Sequence, residues 1–262
     1  MRIVSWNMDS WKRPAKTRAE AWDFLLNELD PDIGLVQEAS IPDEAEGQDA
    51  TSYKGYELLR TSALERGTSL KRLTWGSAIL SRAGTPVTHL VISPEDIAKR
   101  GVVQVARFNI DGLGETTLVN VHSRLDYDVV QKVIPNLRKT FEVILPVLGE
   151  RFIVGGDLNT GRSLGTVYGP EYGHEDFWSE IDAGILKEAF PGGKEERQSY
   201  WGQGDDNKGP TGNTLQDDHV FLDADTFKLV TQSRVWDTPQ VRGLSDHGPI
   251  VVDLSVTVES GI

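Results

Sequence analysis

The chain has 262 residues, of which 38% are hydrophobic and 26% charged, so it reads as a globular protein large enough to bury a sizeable core. Cys is absent, which excludes a disulfide scaffold, a thiolate metal site and a cysteine nucleophile. The net charge of −13 excludes a general electrostatic adhesive for nucleic acid, so any phosphate chemistry must rely on local positive charge or a bound cation.

Short apolar strands alternate with a few helical stretches. Ile3–Trp6 is the first strand. Pro14 opens a helix carrying Trp22, Leu25, Leu26 and Leu29 at spacings of three and four, and the turn Asp30-Pro31-Asp32 ends it. Ile33–Val36 reads as a short buried strand, and the acidic stretch 41–50 as a loop. Strands follow at Leu73–Leu80, Val87–Ile92, Val102–Ile110, Thr116–Val121 and Phe152–Val154. A second long helix spans roughly Val129–Leu148, where Pro135 implies a kink or a broken start. Residues 191–212 read as a long surface loop. Val220–Leu222, Lys228–Val235 and Ile250–Val256 close the pattern as strands. With no repeat, linker or low-complexity tract, the expectation is one α/β domain over residues 1–262.

Polar residues gather at the strand ends. Asn7 follows the first strand, with Asp9 two residues on; Glu38 follows IGLV; His122 follows TTLVNV; Asp157 and Asn159 follow FIVGG. Asp218 and His219 precede VFL, and Asp246 and His247 precede PIVV. Any one of these is ordinarily a turn residue or a strand-end cap. Together they supply carboxylates, amides and imidazoles where α/β folds build sites. Oxygen donors without Cys suit a hard cation such as Mg²⁺ or Mn²⁺. Metal, imidazoles and spare carboxylates are the components of phosphoester hydrolysis.

The motifs SWN (5–7), QE (37–38), NVHS (120–123), GDLN (156–159), DDH (217–219) and SDH (245–247) occur in order over nearly the whole chain. In this the sequence resembles the endonuclease/exonuclease/phosphatase superfamily, which includes DNase I and the AP endonucleases. The resemblance implies a DNase I-like four-layer α/β sandwich of two mixed β-sheets flanked by helices. It also implies a divalent-metal-dependent phosphohydrolase using Mg²⁺ or Mn²⁺. By motif, Glu38 would be the principal metal ligand, with Asn7 and Asp246 on the metal side. Asp157 would orient or deprotonate the attacking water, and Asn159 would hold that water or a phosphate oxygen. His247 would contact the scissile phosphate, with Asp218 fixing its tautomer, and His122 would touch phosphate or serve the leaving group. Asn7, His122, Asn159 and His247 would thus line the phosphate site. Asp9 matches AP endonucleases but not many other relatives, and reads equally well as a turn residue.

Departures narrow the subfamily. AP endonucleases carry Tyr where this chain has His122, and Arg where it has Gln216, which disfavours an AP-site specialist. His219 reads as packed rather than catalytic; His89 and His174 match nothing and read as surface residues. The cations Arg60, Arg66, Lys71, Arg72 and Arg82 suggest either a phosphate-facing patch or a solvated loop. Arg124 and Arg162 lie where they could reach a substrate phosphate.

The leading expectation is a phosphodiesterase that acts as a nuclease on DNA or RNA. The alternative is a phosphatase or phosphodiesterase on a small phosphorylated metabolite or lipid headgroup; a non-catalytic binding module fits less well, because the site residues are all kept. No apolar run spans a membrane. The first residues lack a secretion signal core, so a cytoplasmic location is expected. Nothing in the sequence specifies an oligomer, and a monomer is the expectation.

Overall fold

A computed structural model describes residues 1–10, 12–40, 52–60, 75–92, 102–123, 133–164, 170–190, 197–201 and 215–256. Two β-sheets lie face to face. The first contains β1 (Arg2–Asn7), β2 (Ile33–Ser40), β3 (Ser52–Tyr53), β4 (Tyr56–Arg60), β5 (Trp75–Ser81), β12 (Val230–Val235) and β13 (Ile250–Leu254). Its strand order is β12-β13-β1-β2-β5-β4-β3. The second contains β6 (Gly84–Ile92), β7 (Val102–Ile110), β8 (Gly114–His122), β9 (Phe152–Asp157), β10 (Lys187–Glu188) and β11 (Asp218–Leu222), in the order β10-β11-β9-β8-β7-β6. Each sheet is mixed: β1 runs parallel to β2, and β8 parallel to β9, within otherwise antiparallel pairings.

The sequence forms this sandwich because its central strands are apolar on both faces. Ile3, Ile33, Leu35 and Ile79 from one sheet meet Phe108, Leu118, Ile153 and Val220 from the other. The alternate residues Val4, Trp6, Val36 and Val251 face outward, against Trp22, Phe24 and Leu25 of the first helical segment. That segment is α1 (Ala15–Asp23) continued by a π-helical turn over Phe24–Leu29, and it ends where Asp30 turns left-handed at φ 47°. On the opposite face, α2 (Val133–Ile144) and α3 (His174–Ala183) bring Leu137, Phe141, Phe177 and Trp178 onto Val119, Val154 and Phe221. Each fully buried side chain of this size contributes about 1.5–3 kcal/mol.

The element assignments differ from expectation in instructive places. Pro135 lies within the described α2, two residues after Val133; residues 129–132, on which the choice between a kink and a broken start turns, lie outside the described residues. Helix α3, and the short strands β3, β4 and β10, carry too little periodicity to be read in advance. His174 is not a surface residue: it opens α3 fully buried, with Nδ1 2.7 Å from Thr160 Oγ1. Gly156 is required by the strand packing, since at φ 149° a Cβ would lie 1.8 Å from Val121 O on the neighbouring strand.

Candidate active site

Strand register builds the site. In the second sheet, His122 on β8 lies opposite Asp157 on β9, and Asp157 lies opposite Asp218 on β11. Three polar residues thus stand in one row at the strand ends. In the first sheet, Asn7 at the end of β1 pairs with Gln37 on β2. Beyond Gln37, β2 bulges: Val36 pairs with Ala78 but Ala39 with Gly76, leaving one extra residue. Glu38 sits in that bulge at φ 48°. Gln37, by contrast, points between the sheets, where its Nε2 donates to Asn120 Oδ1 at 2.7 Å, pinning β2 to β8.

Helix α4 (Pro239–Leu244), capped by the Thr238 side chain, delivers the last motif. Ser245 Oγ donates to Asn7 O at 2.8 Å and accepts from His247 N at 3.0 Å. Trp6 Nε1 donates to His247 O at 2.9 Å. The SDH turn is therefore anchored to β1, and His247 reaches across to the other sheet.

These placements yield one connected network. Asn7 Nδ2 donates to Asp157 Oδ2 at 2.9 Å. Asp157 Oδ1 accepts from Asn159 N at 2.8 Å, closing a turn in which Asn159 adopts φ 52°, a conformation that Asn tolerates. The Asn159 side-chain amide donates to Ser123 O. His122 Nε2 lies 3.3 Å from Glu38 Oε1 and 3.9 Å from Asp157 Oδ2. His247 Nδ1 lies 2.8 Å from Asp218 Oδ2, and its Nε2 lies 3.8 Å from Asp246 Oδ1. Eight of the residues singled out in the sequence are thereby brought together: Asn7, Glu38, His122, Asp157, Asn159, Asp218, Asp246 and His247. Arg124 lies outside the described residues.

The electrostatics follow from burial among like charges. Burial, reinforced by Asp218, pushes Asp157 up to about 6 against the lowering effects of His247, His122 and Asn7. Burial alone would discharge His247, but Asp218, Asp157 and Asp246 raise it well above the ordinary histidine value. His122 is raised despite burial, through Glu38 and Asp157. Burial works against the Glu38 carboxylate, yet His122 holds it below its usual value.

Several participants were not foreseen. Lys12 Nζ sits 3.2 Å from both Asp9 Oδ1 and Asp246 Oδ2, and Arg13 Nη2 3.1 Å from Asp9 Oδ2. Asp9 is only 2% exposed and so is not a mere turn residue; burial and Asp246 push it up to about 6. Asp217 is buried beside the row, and burial and Asp157 raise it well above the carboxylate range. The Tyr200 ring lies 4.9 Å from the His247 ring, and burial with Asp246 pushes its hydroxyl up to about 12. A cation adjacent to an acid, as in the run from Asp9 to Arg13, was the available signal for Lys12; nothing local marked Tyr200.

Two cations for which a phosphate contact was one of the readings are engaged elsewhere. Arg162 forms ion pairs with Asp182 and Glu188, both at 2.9 Å, and lies over Trp178. Arg82 is paired to Asp30 at 2.5 Å and Asp32 at 3.1 Å, so it offsets local acids rather than facing the site. Arg66, Lys71 and Arg72 lie outside the described residues. His219 is packed as expected, its Nδ1 2.8 Å from Glu188 Oε1 and its Nε2 2.9 Å from Thr160 O. His89 is exposed, as expected.

Among the described residues, no three His, Asp and Glu side chains are grouped as a metal-ligand set. A hexahydrate-prone ion such as Mg²⁺ needs only one or two carboxylates, the rest of its shell being water and substrate oxygens. The expected ligands Asn7, Glu38 and Asp246 fit such an ion, since all three offer oxygen, in a cluster where Asp9, Asp157 and Asp217 are all pushed up by burial and by neighbouring acids. Asp218 Oδ1 is also buried without a hydrogen-bond partner.

Two mixed sheets flanked by helices, with this strand-end row of one His and two Asp, define the DNase I-like class. The chain belongs to the Endonuclease/Exonuclease/phosphatase family, whose model matches residues 4–247. Solved structures with the same fold include an AP endonuclease from Archaeoglobus fulgidus, at 16% identity and TM-score 0.71, covering 98% of this chain and 100% of that one. D. rerio TDP2 complexed with a single-strand DNA product matches at 19% identity and TM-score 0.64, over 96% and 97%. The 3' phosphatase NExo from Neisseria, bound to a product DNA hairpin, matches at 18% identity and TM-score 0.63, over 97% and 99%. No curated protein sequence matches the chain. No described helix is long and apolar enough to cross a membrane.

Proposed function

We propose that the protein is a Mg²⁺- or Mn²⁺-dependent phosphodiesterase acting on nucleic acid through attack of water on phosphorus. The observation that carries the reading is the pairing of a buried Asp157, pushed up to about 6, with a His247 that Asp218 keeps charged. The first is a base of useful strength near neutral pH; the second is a fixed positive charge. Two of the fold neighbours hold a DNA product, which favours a nucleic-acid substrate.

In this reading, Asp157 accepts the proton of the attacking water. Asn7 holds one carboxylate oxygen through its amide and the Asn159 backbone N–H holds the other, so the base cannot rotate away. His247 donates from Nε2 to a non-bridging phosphate oxygen and neutralises the charge that develops there. Its other nitrogen is held by Asp218, which fixes the ring. His122, raised by Glu38 and Asp157, binds a phosphate oxygen or protonates the leaving oxygen. Asn159, whose side-chain amide is held by Ser123 O, would offer its Oδ1 to that water. Glu38, together with Asn7 and Asp246, would hold a divalent cation, which would supply Lewis-acid stabilisation of the phosphate.

The test is a panel of plasmid, single-stranded DNA, RNA, an abasic duplex and bis-p-nitrophenyl phosphate, with Mg²⁺ or Mn²⁺ and with EDTA. Cleavage of a polymer that stops with EDTA and is lost in His247→Ala supports the proposal. Turnover of the small diester with every polymer untouched would replace nucleic acid by a small phosphoester as substrate. Silence on all of them would overturn the reading.

A further inference from the structure

His219 stands on β11, one position after Asp218, and is 1% exposed. Its ring packs against Trp178 and Phe221, at centroid distances of 4.7 and 5.8 Å. A phenyl ring would fill that place, so packing alone does not call for an imidazole. The ring nitrogens show what does. Nδ1 lies 2.8 Å from Glu188 Oε1, and Nε2 lies 2.9 Å from Thr160 O and 3.0 Å from Gln216 O. A carboxylate and two carbonyls can only accept. The Gln216 amide nitrogen also approaches Nδ1, at 3.2 Å, but its two hydrogens are directed to Glu188 Oε1 and Asp218 O. Both ring nitrogens must therefore donate, and a ring that donates twice is the imidazolium.

A cation this buried needs compensation, and a chain of alternating charge supplies it. Glu188 turns Oε1 to His219 and Oε2 to Arg162 Nη2, at 2.9 Å. Arg162 pairs in turn with Asp182 on α3, also at 2.9 Å. On the side of the site, the acid that feels the ring is Asp217, which it lowers against burial and Asp157. The groups held by Nε2–H belong to the site's own framework. Thr160 follows Asn159, whose left-handed backbone persists only where its surroundings fix it. Gln216 lies two residues before Asp218, the carboxylate that holds His247. Thr160 Oγ1 also lies 2.7 Å from His174 Nδ1, so α3 secures the same turn.

We propose that His219 is a positioning residue, a buried imidazolium whose Nε2–H clamps Thr160 O to Gln216 O and so sets Asp157 and Asn159 against Asp218 and His247. The inference rests on the hydrolytic reading above and deepens it. The clamp touches no substrate. It keeps the base and the water-holding amide, on the turn after β9, in register with the charge on His247.

Two measurements test it, the first independent of turnover. Long-range ¹H–¹⁵N spectra of wild type at about pH 8, where an ordinary histidine is neutral, should show both His219 nitrogens protonated. The ring is assigned by the signals lost in a double variant, His219→Phe with Glu188→Gln. An unprotonated nitrogen would overturn the clamp whatever the activity. The second measurement is turnover of whichever diester of the panel wild type cleaves, in variants that thermal melts show to be folded. The phenyl double variant keeps the ring packing and leaves no carboxylate facing it. Its kcat should fall about 10–100-fold with KM within about twofold of wild type. His219→Gln with Glu188→Gln restores a donor near the Nε2 position and should recover most of that loss. Undiminished kcat in the phenyl variant, or no recovery in the amide variant, would overturn the positioning role while leaving the hydrolase reading intact. A wild type that cleaves nothing would overturn both. Should the phenyl variant not fold, Glu188→Gln alone should show one ring proton fewer at the same pH together with a lowered kcat, and an unchanged ring with unchanged kcat would overturn the proposal.

Discussion

His247 and Asp218 meet at 2.8 Å although they belong to different sheets, one at the turn before β13 and the other at the head of β11. The pair therefore closes the sandwich at the site, and the charge on His247 depends on it. The sign is direct: Asp218 raises the folded-state value of His247, so its charged form persists to higher pH than for a free imidazole. Asp218→Asn removes that support. The alkaline limb of the kcat/KM profile should move to lower pH, and the rate at neutral pH should fall about 10²–10⁴-fold. A rate loss with an unmoved alkaline limb would assign that limb to another group.

Asp157 governs the opposite limb. It must be ionised to accept a proton, and burial has raised it to about 6, so activity should fall as pH drops through about 6. Asn7 stabilises the ionised form through its amide, and this is a lowering influence on Asp157. Asn7→Ala should consequently shift the acid limb to higher pH, whereas Asp157→Asn should abolish the limb and cost about 10²–10⁴ in rate. An acid limb indifferent to Asn7→Ala would exclude Asp157 as its source.

The residues legible in the sequence were those whose chemistry repeats at strand ends. A strand such as TTLVNVH states both its period and its polar terminus, and the pairing of His122 with Asp157, and of Asp157 with Asp218, follows from neighbouring strands ending together. Contacts made across the sandwich were not legible in the same way. Arg162 stands three residues after Asn159, and only the packing of α3 and β10 shows that it serves Asp182 and Glu188 instead of a substrate. His174 belongs to a helix whose polar residues hide its buried face. Lys12 joins acids 3 and 234 residues away, and the longer of those separations leaves no local trace.

Behind the site, Glu188 is a stability element with a defined pH window. Burial opposes its ionisation, but His219 at 2.8 Å and Arg162 at 2.9 Å outweigh it and bring the carboxyl from 4.5 down to about 2. A depressed carboxyl stabilises the fold above its unfolded value and loses that contribution as pH falls toward the folded one. The displacement is worth on the order of 3 kcal/mol. Wild type should lose that stability between about pH 4.5 and 2, while Glu188→Gln should be less stable at pH 7 and lack this component. Chemical denaturation at several pH values would measure it. Because His219 also faces Thr160 O, next to Asn159, the variant should lower kcat as well.

Glu38 carries the clearest conflict between stability and chemistry. A non-glycine residue in the left-handed region costs about 1–2 kcal/mol, and the bulge holds Glu38 there at φ 48°. Glu38→Gly relieves that strain but adds roughly 0.5–1 kcal/mol of unfolded-chain entropy and loses the contact with His122. These effects oppose one another, so the Tm of Glu38→Gly should stay within about 4 °C of wild type. Glu38→Ala loses the same contact and keeps the strain, so it should melt below Glu38→Gly. Both should lose at least about 10²-fold in turnover, since the carboxylate is absent from each. Were Glu38→Ala the more stable of the two, the bulge would not be strained and would need another cause, such as register alone. The expected order instead means that the chain accepts a cost in backbone energy at the one position where β2 must turn a carboxylate toward Asp157 and His122.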